Sequence, residues 1–512
     1  MATLVMRGRL WLREPFATGF LLLVILITLF LSKPLFANQP LLAADLLYHL
    51  DPLWQPMAPP GFTVPTNQVL SDQVFEFYPW QKFVREALAA GQLPLWNPYV
   101  YAGHPLLANA QSAPFDPFNL LAYLWPLAQS FVVVAFLRLL CAGSFTLLLA
   151  LELGMSRWAA YVSMVTFTFA MPQVVWLLYP KASVLVWLPA ILFLSLRVIR
   201  FGRWRDAGLL GLVMAAQIVG GHPETVLYSV LLWGIFCLYW LRAEAESVMR
   251  RALQLVSAGL LGMGAGAMQW LPVAEALLNS EILANRSQSS LTWESIFLQW
   301  REWLAGVTML MPNFFGNPLH ADYWYPYSNF TEQTLYVGLL PLALACLLIW
   351  RREKARPVLF FGFVALFALA MALRLPGFAL LAEAPPLNVT NPARMRGVYM
   401  LCVALLAGFG LDVVRQEIVH GDSRSMRLLL RLLLLMGGLA TLAAASAYWG
   451  VSLLQERLVE MARSQAESAQ GNPFFFRPLE EYQALAEMRV AQIIASFHPA
   501  NWTMYLPLLL AL

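Results

Sequence analysis

Apolar stretches of about 20 residues recur from one end of this 512-residue chain to the other, and a bilayer-spanning helix needs about that length. They fall at 16–36, 130–151, 159–178, 182–199, 207–220, 225–241, 252–271, 335–350, 357–373, 398–414 and 428–449. Hydrophobic residues make up 60% and charged residues 12%, against about 45–50% and about 25% in soluble domains. Such a balance excludes an ordinary soluble enzyme and excludes disorder. The fold class expected is an all-α polytopic membrane protein of about 11–12 spanning helices. A last apolar run, 502–512, is too short to cross, so the chain is expected to stop inside a further helix.

Orientation follows from the basic residues. With Arg7, Arg9 and Arg13 in the cytoplasm, short inner loops carry 19 of the 33 lysines and arginines, the N-terminal three included. Clustering of this kind marks topology, so nucleic acid is not an expected partner. The first apolar run is longer than a signal-peptide core and lacks a small-residue cleavage pattern, and is read as a retained helix. The expected setting is a membrane, with the N-terminus in the cytoplasm. Cys141, Cys237, Cys346 and Cys402 all fall in predicted spans without metal-ligand spacing.

The connections expected on the outer side are large: 37–129, 273–334 and 450–501. Long connections of this kind usually carry function. The expected layout is a transmembrane core over 1–449, a helical hairpin or surface helix over 450–501, and the start of a further helix from 502. In the first long segment, Phe75, Tyr78, Phe83 and Leu88 suit a helix lying at the membrane interface. Ser71 or Asp72 would cap it, and Pro79 would break or kink it early.

One string in that segment is informative: Asp72, Tyr78-Pro79, Gly91, Pro94-Leu95-Trp96-Asn97-Pro98, Gly103-His104-Pro105 and Gln111. It resembles the bacterial YfhO-type membrane proteins of the GT-C glycosyltransferase superfamily. Further similar patches are Gly221-His222-Pro223-Glu224-Thr225, Glu332 with Tyr336-Val337-Gly338, and Asn391-Pro392-Ala393-Arg394-Met395-Arg396. The resemblance implies sugar transfer from a polyprenyl-phosphate donor on the non-cytoplasmic face, with membrane lipids as surroundings and an envelope polymer, lipid or protein as acceptor.

Such a transfer needs a carboxylate to take the acceptor proton or hold a metal, cations for the leaving phosphate, and a greasy groove for the prenyl tail. Spacing alone favours Asp72 as a helix cap; the resemblance makes it the leading base. Glu76, one turn on, reads as a solvated face residue or a second acid, and Asp45, His49 and Asp51 are rivals. Glu332 is either a second acid or a first-turn residue favoured by the helix dipole.

Arg394, then Arg396, are the choices for gripping the lipid phosphate, against snorkelling to headgroups. His222 and Glu224 flank a proline at a span end; the histidine would bind phosphate as imidazolium or join Glu224. Lys181 is a further cation. Asn97, His104 and Gln111 are candidates for sugar hydroxyls, or for holding loop backbone. A divalent ion, magnesium or manganese, would be held by Asp72 with Glu224 or His222. The aromatic stretch 313–327, with His320, suits sugar stacking or an interfacial belt. Arg138 stands alone in a span, either neutralising Glu152 or facing the groove. The competing functions are a transporter or flippase, and a non-catalytic envelope-assembly factor.

Overall fold

The computed structural model describes residues 2–37, 39–62, 67–281, 300–320, 323–325, 329–351, 353, 355–468, 479–498, 500–501 and 505. The run at 502–512, Tyr505 apart, and part of the aromatic stretch lie outside them. In hydrocarbon each backbone N–H and C=O must be satisfied within its own segment, so apolar runs fold as helices. Among the described residues six are long and apolar enough to cross a membrane: Leu127–Glu152, Arg157–Val175, Pro180–Phe201, Pro223–Glu244, Pro392–Val419 and Arg424–Leu453. Glu14–Phe30, Leu339–Trp350 and Arg356–Ala372 are shorter apolar helices.

Burial sorts these helices into centre and rim. Pro180–Phe201 and Pro392–Val419 are 89% and 78% enclosed, whereas Pro223–Glu244 and Arg424–Leu453 are only 39% enclosed. The rim helices turn Leu231, Ile235, Leu238, Leu434 and Leu442 outward, a surface suited to lipid. Small residues let the centre close up. A Cβ on Gly410 would collide with the Leu344 carbonyl of the neighbouring helix, so Arg396–Val419 and Leu339–Trp350 touch backbone to backbone there.

Two expected spans are interrupted. The 159–178 run divides into Arg157–Phe169 and Met171–Val175, because Pro172 begins a new turn after an extended Ala170. The 252–271 run divides at Gly266 into Val248–Ala265 and Ala267–Leu278.

At the arginine-rich end, Glu152 meets Arg197 at 3.5 Å and Arg200 at 3.1 Å. Arg200 also holds Glu244 at 2.6 Å, and Arg197 holds Asp206 at 3.6 Å. Glu152 is therefore not the partner of Arg138, as one sequence reading had it. The helices Gln455–Ser468 and Leu479–Phe497 pack against each other, and Phe497 lies 5.1 Å from Phe314.

The first long segment docks differently from expectation. Gln73–Phe77 is a π-helical turn leading into Tyr78–Ala89, with Pro79 tolerated in the first turn of that helix. The wider turn rotates the buried face to Val74, Phe77, Val84 and Ala87, leaving Phe75 exposed. Phe77 meets Tyr179 at 5.4 Å and Tyr78 stacks on Phe131 at 6.2 Å, so the segment lies on the helix bundle.

Candidate functional site

Opposite the arginine-rich end, prolines start three helices with a charged residue one or two places further on. They give Pro180-Lys181, Pro223-Glu224 and Pro392-Ala393-Arg394. Proline suits a first helical position because the N–H it lacks would have no partner there. Glu332 arrives on a separate turn, Phe330–Gln333, capped by Asn329. These four side chains meet.

Arg394 is the hub. Its Nε donates to Glu332 Oε1 at 3.1 Å, and its Nη1 donates to Glu224 Oε2. Glu224 also accepts the backbone N–H of Asn391. The second oxygen of Glu332 lies 3.7 Å from Lys181 Nζ, which sits 4.0 Å above the Trp176 ring. Trp176 donates in turn to the Thr331 carbonyl at 3.0 Å.

Gly221 delivers His222 to this cluster. Its φ is +88°, and a Cβ there would lie 2.7 Å from the Ala110 carbonyl, so only glycine fits. His222 caps the following helix, with Nδ1 accepting the Thr225 N–H at 3.2 Å. The neutral ring then carries its proton on Nε2, 3.4 Å from Arg394 Nη1. Two donors side by side suit a shared anionic oxygen. Burial, then the nearby Arg394 and Lys181, push the imidazole well below its ordinary range. Without an anion beside it, the ring is thus disfavoured as an imidazolium.

Burial would raise the Glu332 carboxyl, but Lys181, Arg394 and Arg396 outweigh it and hold it below the usual carboxylate range. Glu332 is thus a buried counter-ion, which its position at a helix start did not reveal. Arg396 is buried too, donating through Nη1 to the Glu332 and Ala393 carbonyls. Neither arginine snorkels to a surface; both turn inward. Lys181 and Arg394 thus face Glu224 and Glu332, and Arg396 behind them is also felt by Glu302, so three cations and three carboxylates gather here.

Asp72 lies beside this cluster rather than in it. It caps no helix: its backbone is helical and its side chain makes no capping bond, while Asn67 caps the preceding turn. The carboxylate is exposed, with Ser71 Oγ at 3.5 Å. Nearby chain strips part of its hydration and raises it above its ordinary value, the Ser71 bond only partly opposing. Glu76 is raised likewise, by burial and then by Asp72. Both carboxylates, after burial itself, push the Tyr179 hydroxyl upward, and Tyr179 precedes Lys181 by two residues. No hydrogen bond or ion pair joins Asp72 to Lys181 or Arg394.

The other candidates disperse. Asn97 is buried and its Oδ1 accepts the Tyr99 N–H at 3.0 Å, a turn-holding role. His104 pairs with Asn97 in a two-residue β-ladder. Asp51 closes a local turn onto the Leu53 N–H. Gln111 lines a cavity elsewhere.

The donor set does not fit the divalent ion considered above. Glu224 and Glu332 are engaged by cations, His222 faces a guanidinium, and Asp72 stands apart. Among the described residues no three His, Cys, Asp or Glu side chains converge.

Sequence reasoning missed Asp116. Its Oδ1 caps a helix by accepting the Phe118 N–H at 3.2 Å, which the Asp-Pro pair foreshadows. Its Oδ2 lies 3.7 Å from Arg138 Nη2 and accepts the Ser183 hydroxyl. That pair accounts for Arg138.

An apolar groove of about 530 Å³ begins at the same corner. Gly221, Pro223 and Val226 form one wall, with Leu260, Met263 and Trp270 across from them. Neither a protein-family model nor a curated protein sequence matches the chain.

Proposed function

We propose that the chain is a membrane glycosyltransferase using a polyprenyl-phosphate sugar on the non-cytoplasmic side, the chemistry that its GT-C-like motifs imply. One observation carries the reading. A cluster of buried cations, Lys181 and Arg394 with Arg396 behind, adjoins an apolar groove, since His222 and Glu224 flank Pro223, which lines the groove. A lipid phosphate has matching chemistry: an anionic head for Arg394, Lys181 and the His222 Nε2–H, and a prenyl tail for the groove.

In this reading the site works by charge. As the sugar leaves, negative charge builds on the phosphate, and fixed cations near the dry groove stabilise it more than water would. Glu224 and Glu332 hold the Arg394 guanidinium in place before the donor arrives, so little reorganisation accompanies the reaction. Asp72, exposed and raised in pKa, takes the acceptor proton from the water side. The long segments then face outward and the arginine-rich end faces the cytoplasm.

The test is transfer from a radiolabelled polyprenyl-phosphate sugar by the full chain in proteoliposomes, using an envelope extract as acceptor source. Arg394→Ala should abolish donor binding as well as transfer. Unaltered donor binding in that variant would contradict the reading.

A further inference from the structure

Between the π-helical turn and the spanning helices lies a second polar cavity of about 40 Å³, sharing no side chain with the Arg394 cluster. That is room for a few waters or one small ion. Arg85 and Arg138 both line it, together with Gln81, Gln111, Asn119 and Ser130. Arg138 is 4% exposed and balanced by Asp116 at 3.7 Å. Arg85 has no carboxylate within ion-pair distance among the described residues. Its two terminal nitrogens donate to the Ala122, Tyr123 and Trp125 carbonyls, but its Nε is buried without a partner. The cavity thus carries one half-buried guanidinium with no carboxylate partner, an unused buried donor, the Gln111 amide, and the amides of Gln81 and Asn119, each already giving one N–H to a backbone carbonyl.

We propose that this cavity is an oxyanion site, taking a phosphate group either as a free ion or as the head of a lipid. An anion there neutralises Arg85, accepts its Nε–H, and finds further donors in the amides. Uncharged solutes would leave the charge unmet, and a cation would meet Arg85 and Arg138 directly.

The experiment is thermal unfolding of the full chain in maltoside micelles, which contain no phosphate. One arm titrates inorganic phosphate; the other titrates a short-chain phosphatidylglycerol. A midpoint rising with the logarithm of concentration is expected in at least one arm; the phosphate arm identifies a free ion, the lipid arm alone a headgroup. Arg85→Gln should weaken the response by about tenfold or more, whereas Arg394→Gln should preserve it. Because Arg85 also caps a helix, Val134→Met serves as a second variant that fills the cavity and keeps both arginines. It too should lose the response. No response in either arm, a response lost in Arg394→Gln, or one kept in both Arg85→Gln and Val134→Met would overturn the proposal.

Discussion

Arg394 holds two carboxylates at once, and its loss would leave Glu224 and Glu332 with their charges poorly matched. Breaking a buried ion pair from one side costs on the order of 3 kcal/mol, so Arg394→Ala should lower the unfolding midpoint in detergent as well as abolish transfer. Arg394→Lys keeps the charge but loses the two-pronged geometry; its midpoint should lie between those of the alanine variant and the wild type. Asp72 makes the opposite prediction. It is exposed and caps nothing, so Asp72→Asn should leave the midpoint unchanged while reducing transfer about 10²–10⁴-fold. Its pH dependence has a definite sign. A base acts ionised, and the Asp72 pKa lies above its ordinary 3.8, so transfer should fall as pH drops through a value higher than that. Glu332 behaves in reverse as a stability group. Its folded pKa is depressed, so its contribution is complete above its ordinary 4.5 and fades as pH falls through the lowered value. A pH series of melting curves on Glu332→Gln and wild type would show the two converging in acid.

At the level of elements, proline and glycine position the site. Gly221 is required by both its φ and the Ala110 carbonyl. Gly221→Ala should therefore displace His222 and weaken donor binding without touching any charged group. A gain in donor affinity there would contradict the account. The helices themselves were legible in the sequence because lipid permits little else, and the prolines that start them could be read directly. What remained hidden was anything set by packing between elements. The π-helical turn at Gln73–Phe77 shifts the buried face, and neither apolar period nor Pro79 announces it. Asp116 could be read as a cap, but its second oxygen meets Arg138 across a separation that spacing cannot reveal. The motifs around Lys181, His222, Glu224, Glu332 and Arg394 were each visible, yet only the fold shows that they meet. Asp72 faces water as its sequence suggests, but it lies on a segment docked to the bundle and its expected capping role is absent.

For the whole molecule, sugar transfer on the non-cytoplasmic side requires the ends bearing the long segments and those bearing the arginines to face opposite sides of one membrane. Exposed Gln92 and His420 report on these two faces, and all four native cysteines lie in helices of the bundle and carry no disulfide. In intact cells an impermeant maleimide should label Gln92→Cys, and should label His420→Cys only after permeabilisation. The proposed transfer depends on the Arg394 cluster beside the groove receiving a lipid phosphate that bears a sugar. Its most direct test is binding of a polyprenyl-phosphate sugar to the purified chain, set against the same sugar on a nucleotide. Saturable binding of the lipid-linked form is expected, lost in Arg394→Ala and retained in Asp72→Asn. Equal binding of both forms, or binding indifferent to Arg394, would contradict the proposed transfer.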